Sequence, residues 1–127
     1  MDRFLWICFA GALGTGTRYL VGLWAARTFG TSFPYGTLTV NVTGCFLIAA
    51  IMHVSLSTNL VSPTLRLTLT TGFMGGLTTY SSFNYETTRF FQERAWGTGF
   101  LNYAVTTTLC FAAGLLGFAL ARRIFSI

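Results

Sequence analysis

The sequence predicts an all-α membrane protein: a single transmembrane domain over residues 1–127 with four transmembrane helices, the third of them broken. Three observations predict this. The chain is 53% hydrophobic and only 9% charged, whereas a soluble domain carries about 25% charged residues. It holds four apolar stretches near the roughly 20 residues that cross a hydrocarbon core. No polar stretch between them is long enough for a soluble domain, which excludes a soluble enzyme. A fold of 127 residues could not hide this much apolar surface from water, so the solvent is lipid.

The first helix is expected over about residues 4–26, after Met1-Asp2-Arg3 turns apolar at once. A cleaved signal peptide is the competing reading, but more apolar segments follow and no small-residue cleavage site is convincing. Gly11-Ala12-Leu13-Gly14-Thr15-Gly16 lies inside this helix, where small residues let helices pack closely. Thr28 to Pro34 form a turn, and the second helix follows over about 35–55. The polar loop Ser57 to Ser62 leads to Pro63, a residue suited to the first turn of a helix. The third helix is expected over about 64–91 and the fourth over about 98–121, closing on Arg122-Arg123. Trp6, Trp24 and Trp96 fall near span ends and read as an interfacial belt.

The third segment contains Gly75-Gly76-Leu77-Thr78-Thr79-Tyr80-Ser81-Ser82-Phe83. Paired glycines, β-branched threonines and serines weaken a helix interior, so a break is expected near residues 75–79. Broken backbone at membrane depth persists only where protein, water or an ion satisfies its polar groups. A continuous helix, with glycines serving only close packing, is the competing reading.

The net charge is +5, with eight arginines and no lysine. In a soluble protein that balance suggests nucleic acid; here the arginines scatter at segment ends and suit lipid headgroups. No nucleic-acid partner is expected. Four spans put both termini on one side with Arg3, Arg66, Arg122 and Arg123, against Arg27, Arg89 and Arg94 opposite and Arg18 deeper in the first helix. The positive-inside rule has almost nothing to act on. Such a chain can insert both ways, and two oppositely inserted copies can pair about an axis in the membrane plane. An antiparallel, dual-topology homodimer is therefore expected, against the alternative of one orientation set by weak local signals.

Several polar residues sit within the spans. Asn41 lies mid-way along the second helix, with Thr37 and Gly44 a turn to either side. Its amide serves either as helix–helix glue or as an anion donor. Asn102, Thr106, Cys110 and Gly114 recur every fourth residue in the fourth helix, beside Tyr103, Thr107 and Thr108. Such a track suits interhelical hydrogen bonds or a partly hydrated ion path. Tyr80 and Phe83 share a helical face, with Ser81 and Ser82 alongside and Phe73 before the break; their rings either pack or turn electropositive edges toward an anion. Glu86 and Arg89 are spaced to pair. Arg18 or a track hydroxyl is another partner open to Glu86, and a proton-carrying role is the competing one. His53 reads as interfacial. Cys8, Cys45 and Cys110 lie far apart with no metal or redox spacing and read as small packing residues. No catalytic constellation is present, so no enzyme is expected.

With these residues in view, the sequence closely resembles the Fluc (CrcB-type) fluoride channel family. The motifs are Gly11-Ala12-Leu13-Gly14 with Arg18-Tyr19, Gly36-Thr37-Leu38 with Val40-Asn41 and Gly44, and Gly72 with Gly75 through Phe83. They cover the first three spans, and the third is the most specific. The resemblance implies a multi-pass protein of a bacterial cell (inner) membrane that lets fluoride leave passively. It implies a dual-topology homodimer with two pores and a structural Na⁺ at its centre, held by the backbone carbonyls of Gly75 and Thr78 from both subunits. It implies pore positions at Asn41, Tyr80, Ser81 and Phe83, with Tyr103, Thr106 and Thr107 as fourth-helix candidates and Arg18 and Glu86 in support. One departure stands out: the family usually has Phe where this chain has Tyr80. The added hydroxyl either donates to fluoride or obstructs a narrow pore, and reduced conduction is expected.

The chemistry fits beside the resemblance. Fluoride is small and strongly hydrated, so a pore must replace its water with donors. Uncharged amides, hydroxyls and ring edges do so without binding too tightly for exit. The residues alone reach an anion or polar-solute pathway; only the resemblance names fluoride. A small dual-topology, proton-coupled cation or drug exporter is the runner-up. It would need a carboxylate deep in the first helix, where this chain has Arg18. A non-transporting membrane scaffold is the third reading.

Overall fold

The computed structural model describes residues 1–126, and among these all regular structure is helical. Helix α1 spans Asp2–Phe29 and stops at Gly30, whose φ of 81° is open to glycine at little cost. Helix α2 spans Tyr35–Ser57. Helix α1 runs past both boundaries expected from hydropathy, and α2 past its C-terminal one. Asp2 sits in the first turn of α1 and Arg27 in its last, each matched to the charge of that helix end.

The third segment is built in pieces. Helix α3 covers Pro63–Leu67, with Ser62 Oγ accepting the Leu65 N–H at 3.2 Å. A π-helical stretch, Thr68–Met74, follows. The Thr68 and Thr70 hydroxyls donate to the carbonyls of Thr64 and Arg66, both at 2.8 Å. Such back-bonding competes with the amide ladder and goes with the widened turn. Helix α4 is the short Gly75–Leu77. Thr78 and Thr79 then adopt extended dihedrals, and α5 begins at Tyr80 and runs to Gln92. Helix α5 ends in a Schellman turn: Ala95 N–H reaches the Phe90 carbonyl at 2.8 Å while Arg94 takes φ 59°. Helix α6, Trp96–Phe125, extends through Arg122 and Arg123, which lie in its last turn.

Within the stretch 75–79 where a break is expected, Gly75 keeps helical dihedrals of −60° and −37°. The residues that leave the helix are threonines. The glycines instead meet neighbouring backbone. A Cβ on Gly76 would strike the Gly11 carbonyl, and one on Gly14 would strike the Phe73 carbonyl, so α1 lies directly on the π stretch and α4. Gly16 touches nothing, so only part of the glycine-rich run serves packing. The most extensive interface joins α2 to α6, where Gly117 lets α6 rest on the Phe46 backbone.

The buried apolar centre is small: Val40, Met74 and Leu77, with Val21, Leu47 and Phe73 packed against it. Phe4, Phe9, Phe100, Phe111 and Ile124 are more than half exposed, as are Trp6, Trp24 and Trp96. An apolar exterior of this extent suits lipid and not water. Helices α1, α2 and α6 are each long and apolar enough to cross a membrane. The third segment, divided as it is, does not form a fourth such helix.

Candidate functional site

The site is organised by two extended residues. Thr78 and Thr79 are β-branched, which favours extended over helical backbone. Thr79 also caps α5, its Oγ1 accepting the Ser82 N–H at 3.1 Å. Asn41, buried on α2, grips the same residue. Its Oδ1 accepts the Thr79 N–H at 2.7 Å and its Nδ2 donates to the Thr79 carbonyl at 3.0 Å. Three residues further along α2, Gly44 leaves space that the Thr78 methyl fills; a Cβ there would fall on that methyl. Asn41 therefore acts as glue between helices, with one amide hydrogen left to offer.

These bonds release two carbonyls. In an α-helix each carbonyl accepts the N–H four residues on. Thr79 N–H would serve Gly75 but donates to Asn41. Ser82 N–H would serve Thr78 but donates to Thr79 Oγ1. The Gly76 carbonyl between them is taken by Arg18, whose Nε–H donates to it at 3.0 Å.

Two cavities flank the interruption. One, of about 470 Å³, is walled by Asn41, Gly75, Thr78, Tyr80, Phe83, Thr106 and Thr107 among others. The second, of about 300 Å³, gathers Thr15, Arg18, Thr37, Thr79 and Ser82. Tyr80 is 75% exposed and meets the buried Phe83 edge-on, with ring centroids 5.7 Å apart. Tyr103 stacks on the other side of Phe83 at 6.2 Å. Ser81 is exposed, its Oγ 3.3 Å from Thr79 Oγ1. Of the residues singled out from sequence, Ser81, Tyr103, Arg18 and Glu86 lie off the larger cavity wall. Arg18 joins the smaller cavity, and Tyr103 reaches the larger one only through Phe83.

The family model for CrcB-like protein, Camphor Resistance (CrcB), matches residues 5–118. The chain belongs to the CrcB family. It is 52% identical over 124 residues to a protein of Sorangium cellulosum named fluoride-specific ion channel FluC, covering 98% of each chain. A protein of the same name from Anaeromyxobacter dehalogenans is 48% identical over 122 residues, covering 96% of this chain and 97% of its own. Another from Geobacter sp. strain M21 is 41% identical over 124 residues, covering 98% of this chain and all of its own.

In this CrcB chain the fourth-helix track is a relay. Thr106 Oγ1 donates to Asn102 Oδ1 at 3.2 Å, Asn102 Nδ2 to Thr87 Oγ1 at 2.9 Å, and Thr87 Oγ1 to the Phe83 carbonyl at 2.8 Å. Asn102 is 1% exposed, so it braces α5 against α6. Sequence reasoning missed Thr87; its place one turn beyond Phe83, on the same face, was the available signal. For Glu86 it left Arg89, Arg18 or a track hydroxyl open as partners, and none of these is the one found. Instead Arg89 bonds Glu93 at 2.8 Å on the exposed end of α5. Glu86 turns toward α2, where its Oε1 accepts the Thr37 hydroxyl at 2.7 Å and its Oε2 stays buried without a partner. His53 lies half-buried, its ring 4.4 Å from that of Phe118.

Proposed function

We propose that this chain is a fluoride-selective ion channel of the bacterial inner membrane, giving passive fluoride efflux through two pores in an antiparallel, dual-topology homodimer. One observation carries the choice of ion: the relatives matched over nearly the whole chain bear the name fluoride-specific ion channel. The chemistry of the larger cavity supports it. On its wall the spare Asn41 amide hydrogen and the hydroxyls of Thr106 and Thr107 replace lost hydration, the ring edges of Tyr80 and Phe83 add weakly positive walls, and the hydroxyls of Ser81 and Tyr103 extend the donors beyond it. No cationic side chain lines that cavity, so an anion is not held too tightly to leave. Arg18 draws anions to the adjoining one, and Glu86 steadies Thr37 beside it.

A structural Na⁺ between the subunits fits the donors available. Hard cations take oxygen ligands, and the Gly75 and Thr78 carbonyls have lost the amides that would otherwise occupy them. Two antiparallel copies would present both pairs to one ion, which would neutralise them and fix the half-helices around the interruption at membrane depth.

Fluoride efflux from proteoliposomes, with chloride as the control, tests the channel reading. Dissipative fluoride flux far above chloride is expected. Proton-coupled cation uptake would replace this reading with an exporter, and a silent protein would replace it with a scaffold.

A further inference from the structure

Cysteines that look isolated in sequence come to one cavity wall in the fold. Cys45 on α2 and Cys110 on α6 lie in the most extensive helix interface, and both line the same cavity. The backbone agrees: four residues beyond Cys110, a Cβ built on Gly114 stands 3.8 Å from the Cys45 carbonyl. Neither cysteine is in a disulfide, and both line the 470 Å³ cavity, whose wall also carries the Met74 thioether.

We propose that Cys45 and Cys110 form an intramembrane dithiol site for a thiophilic d¹⁰ dication, with Met74 on the same wall. Thiolate and thioether sulfur select soft ions over Na⁺ or Mg²⁺. Capture breaks two S–H bonds and forms two S–metal bonds, and both protons pass to water. Two thiolates and a dication make a neutral complex, the one charge state that an apolar surrounding accepts at low cost. A monovalent soft ion would leave a net negative charge and is disfavoured. Any effect on fluoride flux rests on the channel reading above; metal binding itself does not.

Hg²⁺ is the probe. The reduced full-length chain, with the exposed Cys8 removed as Cys8→Ala, is loaded in detergent, challenged with glutathione, and assayed for retained mercury and thiolate–mercury ultraviolet absorption. One mercury per chain is expected to survive. Cys45→Ala and Cys110→Ala are each expected to retain it roughly 100-fold less well, because a single thiol loses the second, effectively intramolecular contact. Cys45→Ser and Cys110→Ser, nearer in size, must lose the metal while eluting as the parent does. Equal retention by either single variant, or no absorption band in the Cys8→Ala parent, overturns the proposal. The band needs no further variant, and failure of fluoride flux would leave it unchanged.

Discussion

Asn41 satisfies both backbone groups of Thr79 with one side chain, accepting its N–H at 2.7 Å and donating to its carbonyl at 3.0 Å. It behaves as a neighbouring strand would, for a single residue. Removing it strands a buried donor and acceptor, each worth about 1–3 kcal/mol. Asn41→Ala is expected to lower stability by about 2 kcal/mol in denaturant unfolding in detergent. Asn41→Asp, which keeps the acceptor, should lie between it and the parent. An unchanged midpoint for Asn41→Ala would show that Thr79 is held by other contacts.

Gly44 and Thr78 fit as a hole and its filling. Gly44→Ala puts a methyl onto the Thr78 methyl and is expected to cost about 1–3 kcal/mol through overpacking. Thr78→Ser removes the obstructing methyl and keeps the hydroxyl that donates to the Met74 carbonyl at 2.9 Å. The double variant should recover most of the loss, read as coupling in a double-mutant cycle. Additive losses would show that the two positions do not meet.

The Tyr80 ring is 75% exposed and touches Phe83 by its edge. Tyr80→Phe therefore deletes a hydroxyl without opening a hole. Efflux from liposomes is expected to rise two- to tenfold, or about 0.4–1.4 kcal/mol in barrier height. Equal rates for the two proteins would mean that the hydroxyl does not obstruct the path.

Exchange of Na⁺ for N-methyl-D-glucamine, which is too large for a pair of backbone carbonyls, tests the proposed central Na⁺. Loss of a ligand held at a hundredfold excess over its Kd costs about 2.7 kcal/mol. The thermal midpoint of the purified protein is expected to fall in the exchanged buffer and recover when Na⁺ returns. Identical midpoints in both buffers would remove the ion from the account.

Composition and hydropathy located α1, α2 and α6 from the sequence alone, since a span needs only length and apolarity, and each was found within a few residues. Pro63 and the Ser62 cap were legible for the same reason: their signals are local. The glycines of α1 were read correctly as packing residues, but not which ones, because that depends on the backbone lying opposite. Spacing put Tyr80 and Phe83 on one helical face and Thr106 in a polar track, whereas the carbonyls of Gly75 and Thr78 acquire their freedom from where other amides donate.

By itself, then, the sequence determined a lipid-embedded helical chain with a weak third segment and a stock of uncharged donors. Those properties depend on residues within a turn or two of one another. The tertiary structure decided which residues of the expected stretch leave the helix, that Arg18 takes the Gly76 carbonyl, and that Cys45 and Cys110 share one cavity wall. Asn41 and Thr79 are 38 residues apart and Arg18 and Gly76 are 58 apart. At such separations backbone propensity carries no information. Partners are chosen by which helix faces pack and which buried polar groups must be satisfied once they do.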